Sequence, residues 1–286
     1  MERIESLPEL RQRIAQWKAD GQRVALVPTM GNLHRGHLRL VEKAAAMAER
    51  VVVSVFVNPT QFGPEEDFSN YPRTEAADAA AVSEVGADLL FIPTVATMYP
   101  EGAARGTRVQ VPALEGMLCA LSRPGHFTGV ATVVTRLCNM VSPDVAVFGR
   151  KDYQQLLVIR QMVRDLAMPV EIVGVETVRD ADGLALSSRN NYLSAEERQR
   201  APALNRVLRE IVSALEAGDR DYAALEAWAR ETLLREGLEP DYVSIRRAED
   251  LARPGLSCRD LVALGAVRLG AARLIDNVET TRHDGG

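Results

Sequence analysis

The sequence predicts an α/β protein, and three observations lead to that fold class. Short apolar runs rich in β-branched residues alternate with helical stretches through the first part of the chain. After residue 180 the pattern changes to two long helical stretches and three closely spaced apolar runs. The 286 residues are 47% hydrophobic and 26% charged, which is the composition of an ordinary globular protein with a core of its own.

The first part alternates five predicted strands with four predicted helices. Such alternation forms βαβ units, so we expect a Rossmann-like, doubly wound parallel sheet that is covered by helices on both faces. The predicted strands cover residues 23–30, 51–58, 87–93, 143–149 and 170–178, and the predicted helices cover residues 36–50, 74–86, 126–141 and 152–167.

The second part predicts a smaller α+β domain. One long helix is expected over residues 194–218, with Ser194 as N-cap and Glu197 completing a capping box. A second helix over residues 221–237 is followed by the runs "DYVSIRR", "LVALGAVRL" and "ARLIDNVE", which predict a small antiparallel or mixed sheet. The turn "DADG" marks the change of pattern, so we expect domains of 1–180 and 181–286, the second acting as a lid.

Composition and charge exclude several function classes. A net charge of −5 does not favour nonspecific nucleic-acid binding. Cys119, Cys138 and Cys258 lie far apart, outside any CxxC pair, which predicts reduced thiols and no zinc site. The first residues lack an apolar signal region, and no apolar run approaches the length of a membrane span. We therefore expect a cytoplasmic protein without a membrane partner.

The stretch "VPTMGNLHRGHLRLV", residues 27–41, places two of the four histidines at a junction between a strand and a helix. A helix start offers unpaired backbone amides and a positive dipole, which favour anions. His34 and His37 can each donate a ring N–H to a phosphate oxygen. Two surface loop histidines are the ordinary alternative, and a zinc site is disfavoured because no third ligand lies nearby.

Two further polar stretches follow predicted strands, where open α/β sheets bind ligands. In "FVNPTQFG", Asn58 and Gln61 carry amides suited to hydroxyl and carboxylate groups, although a polar turn explains them equally well. In "FGRKDYQQ", Lys151 offers a point charge for a phosphate and Gln155 faces the same edge. Asp152 is suited to ribose hydroxyls or a metal, or to capping the next helix.

Three loops complete the candidate chemistry. "RPGHF" contributes Arg123 and His126 in a glycine loop before a helix. "LSSRNNYLS", residues 186–194, carries hydroxyls and a guanidinium that are good phosphate donors, and a loop of this kind can close over ATP. "EEDFSNYPRT", residues 65–74, adds acidic groups and Arg73 and is best interpreted as a solvated loop.

The stretches "PTMGNLHRGH", "NPTQFG", "YPRT", "RPGHF", "GRKDYQQ" and "SSRN", in this order, closely resemble the pantothenate synthetase (pantoate–β-alanine ligase) family of the H-x-G-H nucleotidyltransferase superfamily. The resemblance runs from near residue 20 to at least residue 195. It implies the condensation of (R)-pantoate with β-alanine through a pantoyl adenylate, with ATP as substrate, Mg²⁺ carried by the ATP phosphates, and release of AMP and pyrophosphate. It also implies a homodimer. Arg150 stands where the family often has glutamate or glutamine.

The resemblance also implies residue roles. His37 would be the proton donor, His34 its phosphate-binding partner, and Lys151, Ser188 and Arg189 would assist the transition state. Pantoate would be bound by Gln61 and Gln155, with Gln61 also near β-alanine, and Asn58 belongs to the same substrate set. The expected ATP site comprises Met30, Gly31, Asn32, Leu33, His34, Arg35, Gly36, His37, Gly149, Arg150, Lys151, Asp152, Val178, Leu186, Ser187, Ser188 and Arg189.

Two other functions compete with this interpretation. A nucleotidyltransferase that leaves the nucleotide in its product would share the fold and the histidines, but the uncharged pair Gln61 and Gln155 favours a small hydroxy-carboxylate as acceptor. A nonenzymatic ATP-binding module would bind the nucleotide without releasing pyrophosphate. So many donor-bearing loops at one sheet edge favour an enzyme.

Overall fold

A computed structural model describes residues 1–63, 68–69 and 71–281 of the chain. The chain divides into two compact units. The first comprises residues 1–150 and 155–176, and the second comprises residues 151–154 together with the chain from Thr177 onward.

The first unit contains a six-stranded sheet in the order β1-β4-β3-β2-β5-β6, and every neighbouring pair is parallel. Helices flank this sheet, which confirms the predicted α/β class. The strands are β1 Glu2–Ile4, β2 Val24–Thr29, β3 Arg50–Val55, β4 Leu89–Phe91, β5 Val145–Gly149 and β6 Glu171–Val175. The helices are α1 Leu7–Ala19, α2 Arg35–Ala45, α3 Glu75–Glu84, α4 Val95–Met98, α5 Cys119–Ser122, α6 His126–Val141 and α7 Tyr153–Asp165. Short 3₁₀ turns lie at Pro59–Gln61 and Pro112–Leu114.

The direction of winding reverses beside β2. From β2 the chain moves outward through β3 and β4, and it then returns to add β5 on the other side of β2. Successive residues of β2, such as Leu26 and Val27, have side chains on opposite faces of the sheet. Both are fully buried, as expected for a strand covered on both faces. Ligands bind outside the carboxyl ends of the strands at such a reversal. The loops after β2, β3 and β5 therefore form the candidate binding edge.

The first strand and helix are not among the elements that the sequence predicted. Helix α1 shows an amphipathic signal, since Leu10, Ile14 and Trp17 recur at helical spacing and are all buried. Ser6 caps it by accepting a hydrogen bond from the Glu9 amide. Strand β1 is three residues long and pairs only with β4 at the sheet edge, so its sequence carries little periodic signal.

Three predicted elements in the first unit continue at least three residues past their observed ends, and one of them is the strand over residues 170–178, which ends at Val175. The predicted helix over residues 36–50 ends at Ala45, and β3 begins at Arg50. The predicted strand over residues 51–58 ends at Val55, because Asn58 starts the 3₁₀ turn by accepting a hydrogen bond from the Thr60 amide. At the end of β3, a side-chain hydrogen bond thus starts a turn where apolar composition alone would extend the strand.

The second unit joins three helices to a three-stranded antiparallel sheet in the order β7-β8-β9. The predicted single helix over residues 194–218 is wrong. Pro202 lacks an amide N–H, and the chain forms one helix before it and another after it. The predicted capping box of Ser194 and Glu197 is confirmed. The elements are α8 Ala195–Arg200, α9 Ala203–Glu216, α10 Tyr222–Arg235, β7 Glu239–Arg247, β8 Asp260–Leu269, β9 Ala272–Thr281 and a 3₁₀ helix at Ser188–Tyr192.

The division into units differs from the predicted domains at residues 151–154 and 177–180. The Asn277 side chain donates to the Lys151 carbonyl at 2.9 Å. The Tyr153 hydroxyl lies 2.9 Å from the Ala248 carbonyl and 2.8 Å from a Glu279 carboxylate oxygen. These bonds attach residues 151–154 to the antiparallel sheet, although they directly follow a strand of the parallel sheet. Across the described residues, no helix has the length and apolar character that crossing a membrane requires.

Candidate active site

The loop between β2 and α2 has a backbone conformation that restricts its residues. Gly31 has a φ of +83° and Asn32 a φ of +51°, in the left-handed region that favours glycine and asparagine. A Cβ at Gly31 would lie 3.0 Å from both a carboxylate oxygen of Asp78 and a methyl group of Val55. Gly31 therefore lets the chain turn and lets Asp78 approach.

Asp78 on α3 is a site residue that sequence analysis missed. Its carboxylate accepts the backbone N–H of Asn32 at 3.0 Å and that of Leu33 at 2.8 Å, and it accepts the Thr74 hydroxyl at 3.1 Å. Only 3% of the residue is exposed. Two amides just ahead of α2 are thus satisfied by a protein carboxylate. The only sequence signal was a single aspartate in an alanine-rich helix.

The two histidines of "HRGH" form a reciprocal cap at the start of α2. The Nδ1 atom of His34 accepts the Gly36 amide at 3.1 Å, and the Nδ1 atom of His37 accepts the His34 amide at 3.3 Å. The ring centroids are 4.1 Å apart. Because both Nδ1 atoms act as acceptors, a neutral ring at either position carries its proton on Nε2.

This geometry corrects one expectation. The sequence predicted unpaired amides at the helix start, but the Gly36 amide donates to His34 Nδ1 and the His37 amide donates to the His34 carbonyl at 2.8 Å. The capping side chains replace the backbone as the groups through which this helix start can meet an anion.

Asn58 lies at the carboxyl end of β3 and is only 1% exposed. Its amide nitrogen donates to the Gln61 side chain at 3.1 Å and to the Gly129 carbonyl at 3.2 Å. Its amide oxygen accepts from Thr60 and from the Tyr99 hydroxyl, the latter at 2.8 Å. Burial raises the pKa of the Tyr99 phenol, which keeps it a donor. In this arrangement Asn58 supports Gln61, and its direct contact with substrate stays a prediction.

Gln61 and Met30, both predicted site residues, meet in the structure. The Nε2 atom of Gln61 lies 3.1 Å from the Met30 sulfur, while its Oε1 atom accepts from Asn58. The side-chain amide of Gln61 is therefore oriented by the loop after β2 and by its own loop after β3. Two loops at the carboxyl edge of the sheet share one polar group.

The end of β5 places Gly149 and Arg150 at the same sheet edge. Arg150 forms an ion pair with Glu176 at 2.7 Å, and its amide donates to the Val175 carbonyl at 2.8 Å. Its side chain lies against Gly174, where an added Cβ would be 3.2 Å from the Arg150 Cγ. Gln155, in the first turn of α7, is half-buried.

The other predicted site residues lie in the second unit and are half-buried. The Leu186 amide donates to the Val178 carbonyl at 2.9 Å, and Ser187 accepts the Arg189 amide at 3.3 Å at the start of the 3₁₀ helix. A cleft in this unit is lined by both Lys151 and Ser187. The full set in this unit is Lys151, Asp152, Val178, Leu186, Ser187, Ser188 and Arg189.

An ion pair between a half-buried arginine and a buried aspartate holds the segment that carries these residues. Arg179 donates to both carboxylate oxygens of Asp276, at 2.6 and 2.8 Å, and also to the Gly183 carbonyl at 3.0 Å. Asn205 donates to the same carboxylate at 3.0 Å. The bidentate pair fixes the start of the loop on β9. Sequence analysis missed this group because its members are distant in the chain.

The remaining predictions concern the loop at residues 65–74 and the metal. Residues 64–67 and 70, which include the acidic groups of that loop, lie outside the described residues. Arg73 is exposed, and it donates to the Tyr71 carbonyl at 3.2 Å. Within the described ranges, no group of three or more His, Cys, Asp or Glu side chains is arranged to hold a metal ion.

A family model described as "Pantoate-beta-alanine ligase" matches residues 2–279 of this chain. The chain belongs to the pantoate–β-alanine ligase family. It is therefore a ligase, and it catalyses an ATP-dependent condensation of pantoate with β-alanine.

Relatives and solved structures agree over nearly the whole chain. The pantothenate synthetase of Alkalilimnicola ehrlichii is 54% identical over 279 residues, with 98% of each chain covered. That of Pseudomonas putida is 56% identical over 278 residues, with 97% of each covered. The crystal structure of the Thermus thermophilus enzyme matches with a TM-score of 0.91 at 48% identity, covering 97% of this chain and 99% of that one.

A fourth comparison concerns a ligand complex. The pantoate–β-alanine ligase of Francisella tularensis, solved in complex with β,γ-ATP and β-alanine, matches with a TM-score of 0.79 at 30% identity. The match covers 97% of both chains.

Proposed function

We propose that this ligase works in two steps, through a pantoyl adenylate. A carboxylate oxygen of pantoate attacks the α-phosphorus of ATP, and the bond from that phosphorus to the bridging oxygen breaks, which releases pyrophosphate. The amine of β-alanine then attacks the activated carbonyl carbon, loses a proton, and expels AMP to give pantothenate. The observation that carries this proposal is the His34–His37 cap, at the helix start that follows the central strand β2.

The tautomers of the two histidines suit them to a phosphate. Each Nδ1 accepts a backbone N–H, so Nε2 is the nitrogen that carries a donor proton. Negative charge grows on the phosphate oxygens as the α-phosphorus becomes pentacoordinate, and oriented donors stabilise that charge. We assign His37 as the proton donor and His34 as its phosphate-binding partner.

Residues of the second unit complete the proposed adenylation machinery. Lys151 would offer its ammonium to a phosphate, and Ser188 and Arg189 would donate from a short 3₁₀ helix. The Asn277 bond to the Lys151 carbonyl and the Asp276 bond to Arg179 give these donors a fixed backbone. A fixed donor stabilises a transition state more than one that must first be ordered. We retain the functional division into a nucleotide- and pantoate-binding domain over 1–180 and a lid over 181–286.

For ATP, we propose the segments 30–37, 149–152 and 186–189, together with Val178. For pantoate we propose Gln61 and Gln155, whose neutral amides can meet a hydroxyl and a carboxylate without a charge of their own. Asn58 belongs to this substrate set, and its many protein partners make it a support for Gln61.

The proposal includes Mg²⁺ carried by the triphosphate, where it would neutralise charge on the phosphate oxygens. Both oxygens of the Asp78 carboxylate already accept N–H groups, so this buried acid fits the role of a support better than that of a metal ligand. We also propose that the ligase is a cytoplasmic homodimer, as the family resemblance implies. Light scattering of the purified chain, and fractionation of cells that express it, would test these two points.

Isotope transfer tests the adenylate route. The protein is incubated with ATP, Mg²⁺, β-alanine and pantoate labelled with ¹⁸O in its carboxylate, and the products are analysed by mass spectrometry. We expect one ¹⁸O in AMP, because the attacking oxygen stays on phosphorus when the amine cleaves the acyl–oxygen bond. Label in inorganic phosphate would instead indicate an acyl phosphate. A nucleotide retained in the product would indicate a nucleotidyltransferase, and ATP bound without turnover would indicate a binding module.

His37→Ala tests the first step alone. We expect pantoate-dependent exchange between pyrophosphate and ATP to fall by about 10²-fold, the usual cost of removing one transition-state donor. Arg39→Ala is the matched control, because Arg39 lies on the same helix and its exposed side chain pairs with Glu42. Exchange at the wild-type rate in a folded His37→Ala variant would remove His37 from the mechanism.

A further inference from the structure

The ring of His126 contacts the main chain of a proposed substrate residue. His126 is the first residue of α6 and is 8% exposed. Its Nδ1 atom lies 2.8 Å from the Gln61 carbonyl oxygen, and its Nε2 atom lies 3.0 Å from Nη1 of Arg123. A second guanidinium nitrogen of Arg123 lies 3.4 Å from the same carbonyl. Histidine and arginine thus converge on one peptide group.

These contacts define the protonation of the ring. A carbonyl oxygen can only accept, so Nδ1 must carry a proton and donate it. A guanidinium can only donate, so Nε2 must accept and carries none. His126 is therefore neutral with its proton on Nδ1, which is the opposite tautomer from that assigned to His34 and His37.

The backbone of α6 supports the same segment from a second side. A Cβ on Gly129 would lie 2.6 Å from the Thr60 carbonyl carbon and 2.8 Å from the Gln61 nitrogen, closer than real Cβ contacts. The Gly129 carbonyl also accepts from Asn58. Only glycine at this position allows the helix and the 3₁₀ turn to pack so closely. The main chain of Gln61 is therefore held both by backbone packing and by a directed hydrogen bond.

We propose that His126 is a positioning residue for pantoate binding, acting through the Gln61 carbonyl. The Gln61 amide can make its bonds to Asn58 and Met30 only while its main chain stays in place. Removing the His126 donor would leave a carbonyl beside α6 without its shortest hydrogen bond, and the turn would shift. This inference rests on the proposed role of Gln61 in binding pantoate.

Steady-state kinetics of three variants in the full chain test the proposal. His126→Leu removes the donor, and we expect the KM for pantoate to rise about ten-fold, the cost of one lost hydrogen bond to a partly buried group. The KM for ATP should stay within about two-fold, because the His34–His37 cap is untouched. His126→Asn keeps an N–H near the Nδ1 position, and we expect it to restore the wild-type KM for pantoate to within about three-fold.

Thr128→Val is the matched control. Its hydroxyl, on the same helical turn, donates to Glu115 at 2.6 Å and not to Gln61, so the KM for pantoate should not change. An equal rise in Thr128→Val and His126→Leu would indicate general loosening of α6 and would overturn the proposal. So would a failure of His126→Asn to restore binding.

Nuclear magnetic resonance gives a readout on the unaltered protein. The protein is labelled with ¹⁵N-histidine, and its four histidines give few ring signals. The signals that disappear in His126→Asn are assigned to the His126 ring. We expect a neutral ring protonated at Nδ1. A ring protonated at Nε2, or a charged ring, at neutral pH would overturn the proposal even if His126→Leu does not fold.

Gln61→Ala separates failure of this inference from failure of the proposed role of Gln61. A wild-type KM for pantoate in Gln61→Ala would remove Gln61 from substrate binding, and the His126 inference would fall with it. A raised KM in Gln61→Ala together with a wild-type KM in His126→Leu would leave the function intact and overturn the positioning role alone.

Discussion

The loop of residues 30–37 and the loop of residues 178–189 are each shaped by one buried carboxylate, but in different ways. In the first unit, the donors to Asp78 among the described residues are two backbone amides and a hydroxyl, all of them neutral. In the second unit, Asp276 faces the Arg179 guanidinium and the Asn205 amide. The first carboxylate brings a negative charge, held by these neutral donors, to a loop proposed to bind phosphate, and the second is neutralised by its partner.

The difference indicates how each loop tolerates an anion. Because Asp78 occupies the amides of Asn32 and Leu33, the histidine side chains are the groups that we propose the first loop presents to a phosphate. The second loop keeps its acid paired, so its serines and Arg189 remain the groups suited to a phosphate. Asp78 therefore acts mainly on the orientation of its loop, and Asp276 acts mainly on stability.

Asp276→Asn should have the largest effect, because it would remove the ion pair that holds the second loop. The change leaves the Arg179 guanidinium, whose side chain is 17% exposed, without its charge partner, which costs at most about 3–5 kcal/mol of unfolding free energy. Urea unfolding of the full chain measures this. Asp180→Asn is the control, since the Asp180–Arg198 pair is about one-third exposed and should cost about 1 kcal/mol or less. Equal losses in the two variants would contradict the special role of Asp276.

Asp78→Asn should have an intermediate effect on stability, and it tests the difference between the two carboxylates. One of the two backbone N–H groups would then face an amide NH₂, so we expect a loss of about 1–3 kcal/mol. The loop would also turn away, and the KM for ATP should rise by roughly ten-fold. Asp88→Asn is the control, because Asp88 accepts the Val51 amide and an Arg50 side chain at the opposite end of the sheet. An unchanged KM for ATP in Asp78→Asn would show that the carboxylate does not orient the loop.

The smallest effect concerns the turn inside the second loop. The hydrogen bond from Arg198 lowers the pKa of Asp182 below its ordinary value of 3.8. A carboxyl whose pKa is lower in the folded state stabilises the protein above its ordinary pKa, and this stabilisation is lost as pH falls through the lower folded value. Asp182→Asn should therefore lower the free energy of unfolding slightly at neutral pH, and this difference from the wild type should disappear as pH falls below about 4. A stability difference that is constant with pH would contradict this account.

Much of the parallel sheet could be predicted from local pattern. Buried strands such as β2 and β5 are short β-branched runs, and α6 was predicted with its observed bounds, residues 126–141. The capping box of Ser194 was predictable because both of its members lie within one helical turn. Pro202 is equally local, and the single long helix was wrong because the apolar periodicity was given more weight than the missing N–H.

The sequence by itself determined the elements and motifs whose residues are close in the chain, namely the strands, the helices and the "HRGH" junction. Only the tertiary structure decided which acids hold the loops, because Asp78 lies 46 residues from Asn32 and Asp276 lies 97 residues from Arg179. It likewise decided the proton position on His126, which lies 65 residues from the carbonyl it binds. A hydrogen bond between distant residues leaves no periodic trace in the sequence, since its geometry exists only after the elements have packed.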